Sequence, residues 1–433
     1  MQINRDLYLN KLINKRENGL IKVITGIRRC GKSYLLFNIY HNYLVSSGIN
    51  ENQIIKLALD ETQNAKYRNP IELDKYIRDL TKDKSTMFYV FIDEIQKVEN
   101  IQNPYIDDKD SKIGFVDTLL GLMKLPNVDL YVTGSNSRML SSDILTEFKD
   151  RGDEIRVNPL TFKEFYSAIG GDKNSAWQEY LTYGGMPLAV TKKTHEEKSK
   201  YLKDLFAKTY ITDVLDRNKI VKDKEVLEDL LNMVSSSVGS LTNPTKLANS
   251  FATIKQVKIS SSTIGLYLDY LIDAFILNKA YRYDVKGKKY INTPLKYYFT
   301  DIGLRNARLN FRQQEENHIM ENIIYNELLY REFDVDVGVV EYNYKDDFCK
   351  SKRSQLEIDF VANKNSKRYY IQSALNIDTN DKKEQETKSL NKITDSFKKI
   401  VIVKDNIIPW HDEQGILYIG IQQFLLEDNA MEL

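Results

Sequence analysis

The residues best suited to chemistry stand together in Gly26-Ile27-Arg28-Arg29-Cys30-Gly31-Lys32-Ser33, a match to G-x-x-x-x-G-K-[ST]. A loop of this composition turns its backbone N–H groups toward phosphate oxygens, and a helix starting at its end adds the positive end of its dipole. In that spacing Lys32 reaches the β- and γ-phosphates of a nucleotide and Ser33 ligates Mg2+, so the expected cofactors are ATP and Mg2+. Arg28 and Arg29 both bring positive charge, but only one of two successive side chains can face the phosphates. Cys30 reads as a small loop residue.

A second constellation completes such a site. Phe88-Tyr89-Val90-Phe91-Ile92 is an apolar strand ending in Asp93-Glu94, at the edge where open α/β sheets bind ligands. Asp93 is placed to hold Mg2+ through water, and Glu94 to take a proton from the water that attacks the γ-phosphate. A further strand ends in Thr133-Gly134-Ser135-Asn136-Ser137. There Asn136, with Ser135 as second choice, is the candidate to orient that water, although both types also cap helices. Arg151, ahead of Gly152-Asp153-Glu154, is a candidate arginine finger in cis or on a neighbouring subunit. The second case implies a nucleotide-dependent homo-oligomer. A strand between phosphate loop and carboxylates points to the ATPases with an additional central strand, and to ATP rather than GTP.

The elements that must position these groups follow from the alternation of β-rich runs with helical patterns over residues 20–157, the signature of a parallel sheet with crossover helices. Five strands are expected at Ile21–Thr25, Ile54–Leu59, Met87–Ile92, Leu130–Thr133 and Glu154–Val157, with helices near 33–46, 71–82, 113–124 and 137–148. Residues 160–240 lose the strand pattern and read as a helical lid and connector. Ser260-Ser261-Ser262 precedes a helix with the stripe Ile264, Tyr267, Leu268, Leu271, Ile272. A hairpin, Ile276–Tyr283 and Lys289–Asn292, then turns through Lys286-Gly287-Lys288, where Gly is expected to supply a positive φ. Helices followed by a basic hairpin suggest a winged helix-turn-helix. Beyond about 315 the order is helix (316–333), three strands (336–343, 356–362, 368–375), helix (382–398) and two strands (400–404, 416–419), a further α/β domain.

Composition narrows the function classes. At roughly 150 residues per domain, 433 residues suggest about three domains. Cys30 and Cys349 are too few for a disulfide framework or a thiolate metal site, and His41, His195, His318 and His411 lack metal-ligand spacing. No apolar run approaches the roughly 20 residues of a membrane span, and the N-terminus has no secretory pattern, so a cytoplasmic protein without a membrane partner is expected. The net charge of +1 hides an asymmetry: residues 242–299 hold nine Lys or Arg against three Asp or Glu. Nucleic acid is therefore a candidate partner, and Lys286, Lys288 and Lys289 in the hairpin turn are candidate contacts to its backbone.

Thr25 to Ser33, Ile92-Asp93-Glu94-Ile95-Gln96, Thr133-Gly134-Ser135-Asn136 and Pro159-Leu160-Thr161-Phe162-Lys163-Glu164-Phe165 resemble a prokaryotic AAA-type ATPase family. Its members resemble archaeal-type ATPases related to signal-transduction NTPases, and carry a C-terminal domain of unknown function similar to restriction-endonuclease folds. Tyr183-Gly184-Gly185-Met186-Pro187 and Lys296-Tyr297-Tyr298-Phe299-Thr300-Asp301-Ile302-Gly303-Leu304 add to the resemblance as markers to which we assign structural roles. A nuclease of that fold needs an acid on its first helix, an Asp on a strand and Glu-x-Lys on the next strand. Glu321 and Asp359 fit the first two positions, but the third reads Gln372-Ser373-Ala374. Its lysine is lost unless Lys367 or Arg368 reaches in, so the domain is expected to be catalytically degenerate.

The expected fold class is thus α/β. It comprises a P-loop parallel-sheet ATPase core (1–158), a helical lid or connector (159–224), a winged helix-turn-helix (225–312) and a restriction-endonuclease-like domain (313–433). The expected function is an ATP-binding and hydrolysing switch acting on nucleic acid or an unknown protein partner. The alternatives are an ATP-controlled metal-dependent nuclease and an ATP-binding interaction scaffold.

Overall fold

The computed structural model describes residues 3–134, 151–312, 315–345 and 351–433. The chain forms two compact units, one of Met1–Pro159 with Asp273–Phe275 and the other of Leu160–Ile272 with Ile276–Leu433.

The first unit is built on five parallel strands, β1 (Ile21–Thr25), β2 (Ile54–Ala58), β3 (Phe88–Asp93), β4 (Val128–Thr133) and β5 (Gly152–Arg156), in the order β2-β3-β4-β1-β5. Every residue of β1 and β3 is buried, as expected where helices cover both faces of a parallel sheet. On one face Leu73 and Ile77 of helix Pro70–Leu80, and Leu119 and Leu122 of helix Phe115–Met123, pack against Val23, Leu57, Val90, Ile92 and Val132. On the other, Tyr40, Phe91 and Tyr131 form an aromatic cluster with ring centroids 5.1 to 5.8 Å apart. Beside it the buried Lys22 pairs with Asp129, which also accepts from the Tyr131 hydroxyl at 2.6 Å. Asn69 caps helix Pro70–Leu80 and Pro70 opens it, where its missing N–H costs nothing. The five strands lie where the sequence places them, with ends shifted by one or two residues. The helix expected at 137–148 lies outside the described residues.

In the second unit, helices Phe162–Ile169, Lys173–Tyr183, His195–Thr209, Lys224–Ser236, Pro244–Ser250 and Ser261–Asp273 precede the hairpin β6 (Leu277–Asp284) and β7 (Lys289–Phe299). Thr161 and Glu164 close the first of these helices with a capping box. Helix Glu316–Tyr330 follows, then β8 (Asp334–Lys345), β9 (Ser351–Lys364), β10 (Lys367–Ala374), β11 (Lys398–Val403), β12 (Trp410–His411) and β13 (Ile416–Gly420). All eight strands share one sheet, β12-β13-β11-β10-β9-β8-β6-β7, because β6 pairs in parallel with β8 through Gly338 opposite Tyr283. The hairpin is therefore continuous with the C-terminal strands rather than a free-standing wing, and its second arm runs on to Phe299.

Two local expectations are corrected. The positive φ in the hairpin turn belongs to Lys288, and the Gly287 N–H donates to the Asp284 carboxylate at 2.9 Å, in the space that a Cβ would share with that carboxylate. The helix expected at 382–398 spans Asn380–Thr387. Further on, Asp395 accepts from the Phe397 N–H at 3.2 Å, a side-chain turn that competes with helix. Among the described residues, no helix is long and apolar enough to cross a membrane.

The two markers of unassigned chemistry meet. The buried Asp301 carboxylate accepts from the Gly185 N–H at 2.7 Å and, as N-cap of helix Ile302–Arg308, from the Leu304 N–H at 2.9 Å. Gly303 lies against the Tyr183 carbonyl, where a Cβ has no room. Asn306 then donates to the carbonyls of Leu181 (2.9 Å) and Thr182 (3.0 Å).

Candidate active site

β1 delivers the chain to Gly26, whose φ of 137° is open to glycine and whose missing Cβ clears the Val157 carbonyl. Gly31, at φ 103°, is the N-cap of the helix that begins at Lys32. Between them Ile27 and Cys30 are buried, Arg28 is half-buried and Arg29 is exposed with φ 63°. The two arginines differ: Arg28 is half-buried and its charge acts on Glu94, while Arg29 is exposed. Lys32 is buried and donates to the carbonyls of Gly26 (2.8 Å) and Ile27 (3.0 Å), folding over the cradle it would share with phosphate. Ser33 stands half-buried in the first turn.

Asp93 and Glu94 leave the end of β3, and β4 lies between β3 and β1, giving the additional central strand expected from the sequence. Asp93 is buried, and its Oδ1 accepts from the Thr133 hydroxyl. The same hydroxyl accepts from the Glu94 N–H at 3.1 Å, while the Gln96 side-chain amide donates to Glu94 Oε2. Glu94 adopts a left-handed conformation with φ 55°, an uncommon state for a side chain of this size. Burial first, and then Asp93, raise its pKa above the usual carboxylate value, against the opposing pull of Lys32 and Arg28. A carboxylate so held is a stronger proton acceptor than an exposed one.

Thr133 and Gln96 are the polar groups that the sequence reading did not single out. Their signal lay in the register: Ile92 pairs with Val132, so the next residues, Asp93 and Thr133, meet at the sheet edge. Asn136 and Ser135 lie outside the described residues. Arg5, ahead of helix Asp6–Asn14, was also missed. Its guanidinium donates to the Cys30 carbonyl at 3.2 Å and the Asn158 carbonyl at 2.6 Å, tying the phosphate loop to the chain beyond β5. No local pattern marks a contact made 25 residues away.

Arg151 requires a correction. It is exposed, its carbonyl accepts from the Ile21 N–H at 3.0 Å, and the register runs from Ile21 beside Gly152 to Thr25 beside Arg156. Arg151 therefore sits at the edge of the sheet opposite the loop, roughly 16 Å away at about 3.3 Å per residue. A finger acting in cis is excluded by that distance.

The C-terminal sheet carries a second polar cluster. Glu321 and Asp359 come together, but the cation beside them is Lys296 of β7, whose Nζ lies 2.7 Å from Glu321, 2.7 Å from Glu357 and 3.7 Å from Asp359. The Ser373 N–H donates to Asp359 at 2.8 Å. Gln372 keeps its Oε1 buried without a hydrogen-bond partner, and its side chain lies against Glu386. Lys367 pairs instead with Glu432, and Arg368 donates to Asn363 at 2.7 Å, so neither enters the cluster. Lys286, Lys288 and Lys289 are exposed in the hairpin turn.

Residues 18–166 match the profile of the AAA domain, and residues 174–315 that of a domain of unknown function. An uncharacterized protein of Haemophilus influenzae is 34% identical over 405 residues, covering 92% of this chain and 93% of the relative. The chain belongs to this AAA-domain family. An uncharacterized protein of Methanocaldococcus jannaschii, MJ1544, is 28% identical over 445 residues, covering 98% of this AAA-domain protein and 88% of the relative. Among solved structures, Aeropyrum pernix ORC1 in complex with DNA aligns at 11% identity over 72% of this chain and 93% of that chain (TM-score 0.29). AMPPCP-bound DnaA from Aquifex aeolicus aligns at 14% identity over 61% and 85% (TM-score 0.30). The AAA domain with its phosphate loop makes the first unit a nucleotide-binding ATPase core.

Proposed function

We propose that this AAA-domain protein hydrolyses ATP to ADP and phosphate, and uses the nucleotide state to control its action on nucleic acid. The observation that carries the reading is the placement of Asp93 and Glu94 at the end of β3, with Glu94 fixed by Thr133 and Gln96 and in the field of Lys32 and Arg28. The loop from Gly26 to Ser33 binds the phosphates, and Lys32 moves from the Gly26 and Ile27 carbonyls to the β/γ oxygens. Glu94 takes the proton of the attacking water. Asn136 is retained as the group that orients this water, and Arg151 as a finger supplied to a neighbouring subunit.

Mg2+ fits the donors present, since the Ser33 hydroxyl and the buried Asp93 carboxylate are hard oxygen ligands. Bound there, it would offset negative charge on the phosphate oxygens.

The nucleic-acid part rests on charge. From residue 230 to 268 no Asp or Glu occurs. This stretch holds a shallow cavity of 520 Å³ lined by Asn243, Lys246, Asn249 and Thr253 among others. The exposed Lys286, Lys288 and Lys289 add positive charge at the hairpin turn. We retain the helices of 225–273 with this hairpin as a winged-helix segment whose wing is shared with the C-terminal sheet, and the residues from 313 as a restriction-endonuclease-like module without cleavage activity.

The test is phosphate release with and without duplex DNA, together with molecular mass in ADP and in a non-hydrolysable ATP analogue. The reading expects turnover that DNA alters, and a larger assembly in the analogue. Binding of ATP without turnover would make the protein a scaffold. A rate indifferent to DNA would transfer the role of partner to another protein.

A further inference from the structure

Lys296 is the least expected residue of the C-terminal sheet. Its side chain is 4% exposed although it ends in a charge, and three carboxylates surround it. Burial by itself would lower its pKa, but Glu321, Asp359 and Glu357 raise it above the ordinary lysine value, so the ammonium is fully charged. Tyr298, two residues along β7 and fully buried, donates its hydroxyl to the same Glu321 oxygen at 2.6 Å and stacks on Tyr325 at 4.2 Å. Gly239 closes over the Glu321 carboxylate from another side, its Cβ position 3.3 Å from Oε1. The acids that a nuclease of this shape uses are thus arranged around an ammonium and covered by protein.

The carboxylate oxygens that would face a metal are engaged by the ammonium. The two shortest contacts, at 2.7 Å, are normal for N–H donors to carboxylate. Among the described residues, no group of three or more His, Cys, Asp or Glu stands where it could hold a metal ion. Charge balance agrees. Three carboxylates against one ammonium leave excess negative charge, and burial, followed by Glu321, raises the Asp359 pKa so that it keeps its proton more tightly than an exposed Asp. Glu357, with one third of its side chain exposed, leaves its remaining charge to water.

We infer that Lys296 is a built-in cation that takes the place of the divalent metal in this nuclease-like sheet, so that the site binds no metal and admits no phosphodiester. The role belongs to the hairpin strand β7, which supplies both the cation and the Tyr298 cover. The inference rests on the nuclease-like reading of Glu321 and Asp359, and is independent of ATP hydrolysis.

The experiment titrates nucleotide-free full-length protein with Mn2+ and follows free Mn2+ by electron paramagnetic resonance. Wild type and Asp359→Asn should bind equally, since Asp359 holds no metal in either. Lys296→Ala should gain one Mn2+ per chain, lost again in Lys296→Ala/Asp359→Asn. Its melting temperature should rise with Mn2+ while that of wild type does not, because a ligand stabilises the state that binds it. Lys296→Gln is run beside it, since it keeps a donor for Glu321 and disturbs folding less. Wild-type Mn2+ binding that Asp359→Asn abolishes, or no gained site in either folded variant, overturns the inference. Phosphate release, measured on the same samples, reports separately on the ATPase reading.

Discussion

Replacing Glu94 by Gln is the perturbation that most directly questions the catalytic assignment. The two side chains have nearly the same shape, and a Gln at this position still offers an amide oxygen to the Gln96 donor that now binds Glu94 Oε2. The Glu94 N–H to Thr133 hydrogen bond of 3.1 Å is a backbone contact and survives the change. What disappears is the ability to accept a proton. General-base assistance contributes about 10²–10⁴-fold, which at about 1.36 kcal/mol per decade is roughly 2.7–5.4 kcal/mol of barrier. ATP affinity should stay within a few-fold, because Lys32 and the loop carry ground-state binding, whereas Lys32→Ala should abolish tight binding. Single-turnover phosphate release measures the first quantity and titration calorimetry the second. The pH profile adds a check: with the Glu94 pKa raised by burial and by Asp93, the base form is lost as pH falls through that raised value. The acid limb of kcat/KM should then lie above the ordinary glutamate value of 4.5. Arg28→Ala, which removes an opposing cation, should move the limb to still higher pH. Turnover in Glu94→Gln within a few-fold of wild type would refute the reasoning.

Arg151→Ala should slow hydrolysis with little change in ATP affinity, and mixing it with Lys32→Ala protein should recover activity, since one partner then supplies the finger and the other the intact loop; unrecovered activity rejects action between subunits. Neutralising one of Lys286, Lys288 or Lys289 should flatten the slope of log DNA affinity against log salt by roughly one unit, and a triple Ala variant with unaltered affinity and slope removes the turn from the interface. Asp301 is fully buried, and burial pushes its carboxyl from 3.8 up to about 6 against hydrogen bonds from Gly185, Leu304 and Gly303. Because the folded value exceeds the unfolded one, the stability it contributes is fully present below 3.8 and is lost as pH rises through 6. Thermal melts of Asp301→Asn across that window should show a flatter dependence on pH than wild type.

The ATPase core was legible because its signals are local. A Val/Ile-rich strand, a glycine pair at fixed spacing and an apolar strand ending in two carboxylates each announce an element and the side chains at its end. Where groups from distant segments meet, the sequence carried less. Thr133 becomes a ligand of Asp93 through sheet order, which places β4 beside β3. Arg5 reaches the phosphate loop only once the first helix has docked. The hairpin was recognised, but its continuation into the C-terminal sheet depends on one short parallel pairing of β6 with β8, which no periodicity encodes. Lys296 shows the limit most clearly: the missing lysine would stand at Ala374 on β10 in a nuclease, and the cation arrives from β7, 78 residues earlier in the chain.

The lock between Gly185, Asp301 and Gly303 joins segments 116 residues apart, and it governs how this chain can be divided. Leu160 belongs to it as well, since its N–H donates to the Gly185 carbonyl at 2.7 Å. A fragment ending after the AAA-domain match at residue 166 would carry Leu160 and Thr161 without the glycine turn that receives them. A fragment ending at 315 would keep the lock yet strand the Lys296 ammonium without Glu321, Glu357 and Asp359. A protease nick between 190 and 296 is another matter, because the two pieces remain fastened through Asp301. For domain exchange between relatives, Leu160–Ile272 and Ile276–Leu433 belong to one compact unit, and chimaeras joined between Gly185 and Asp301 should fold poorly even when each junction falls in a surface loop.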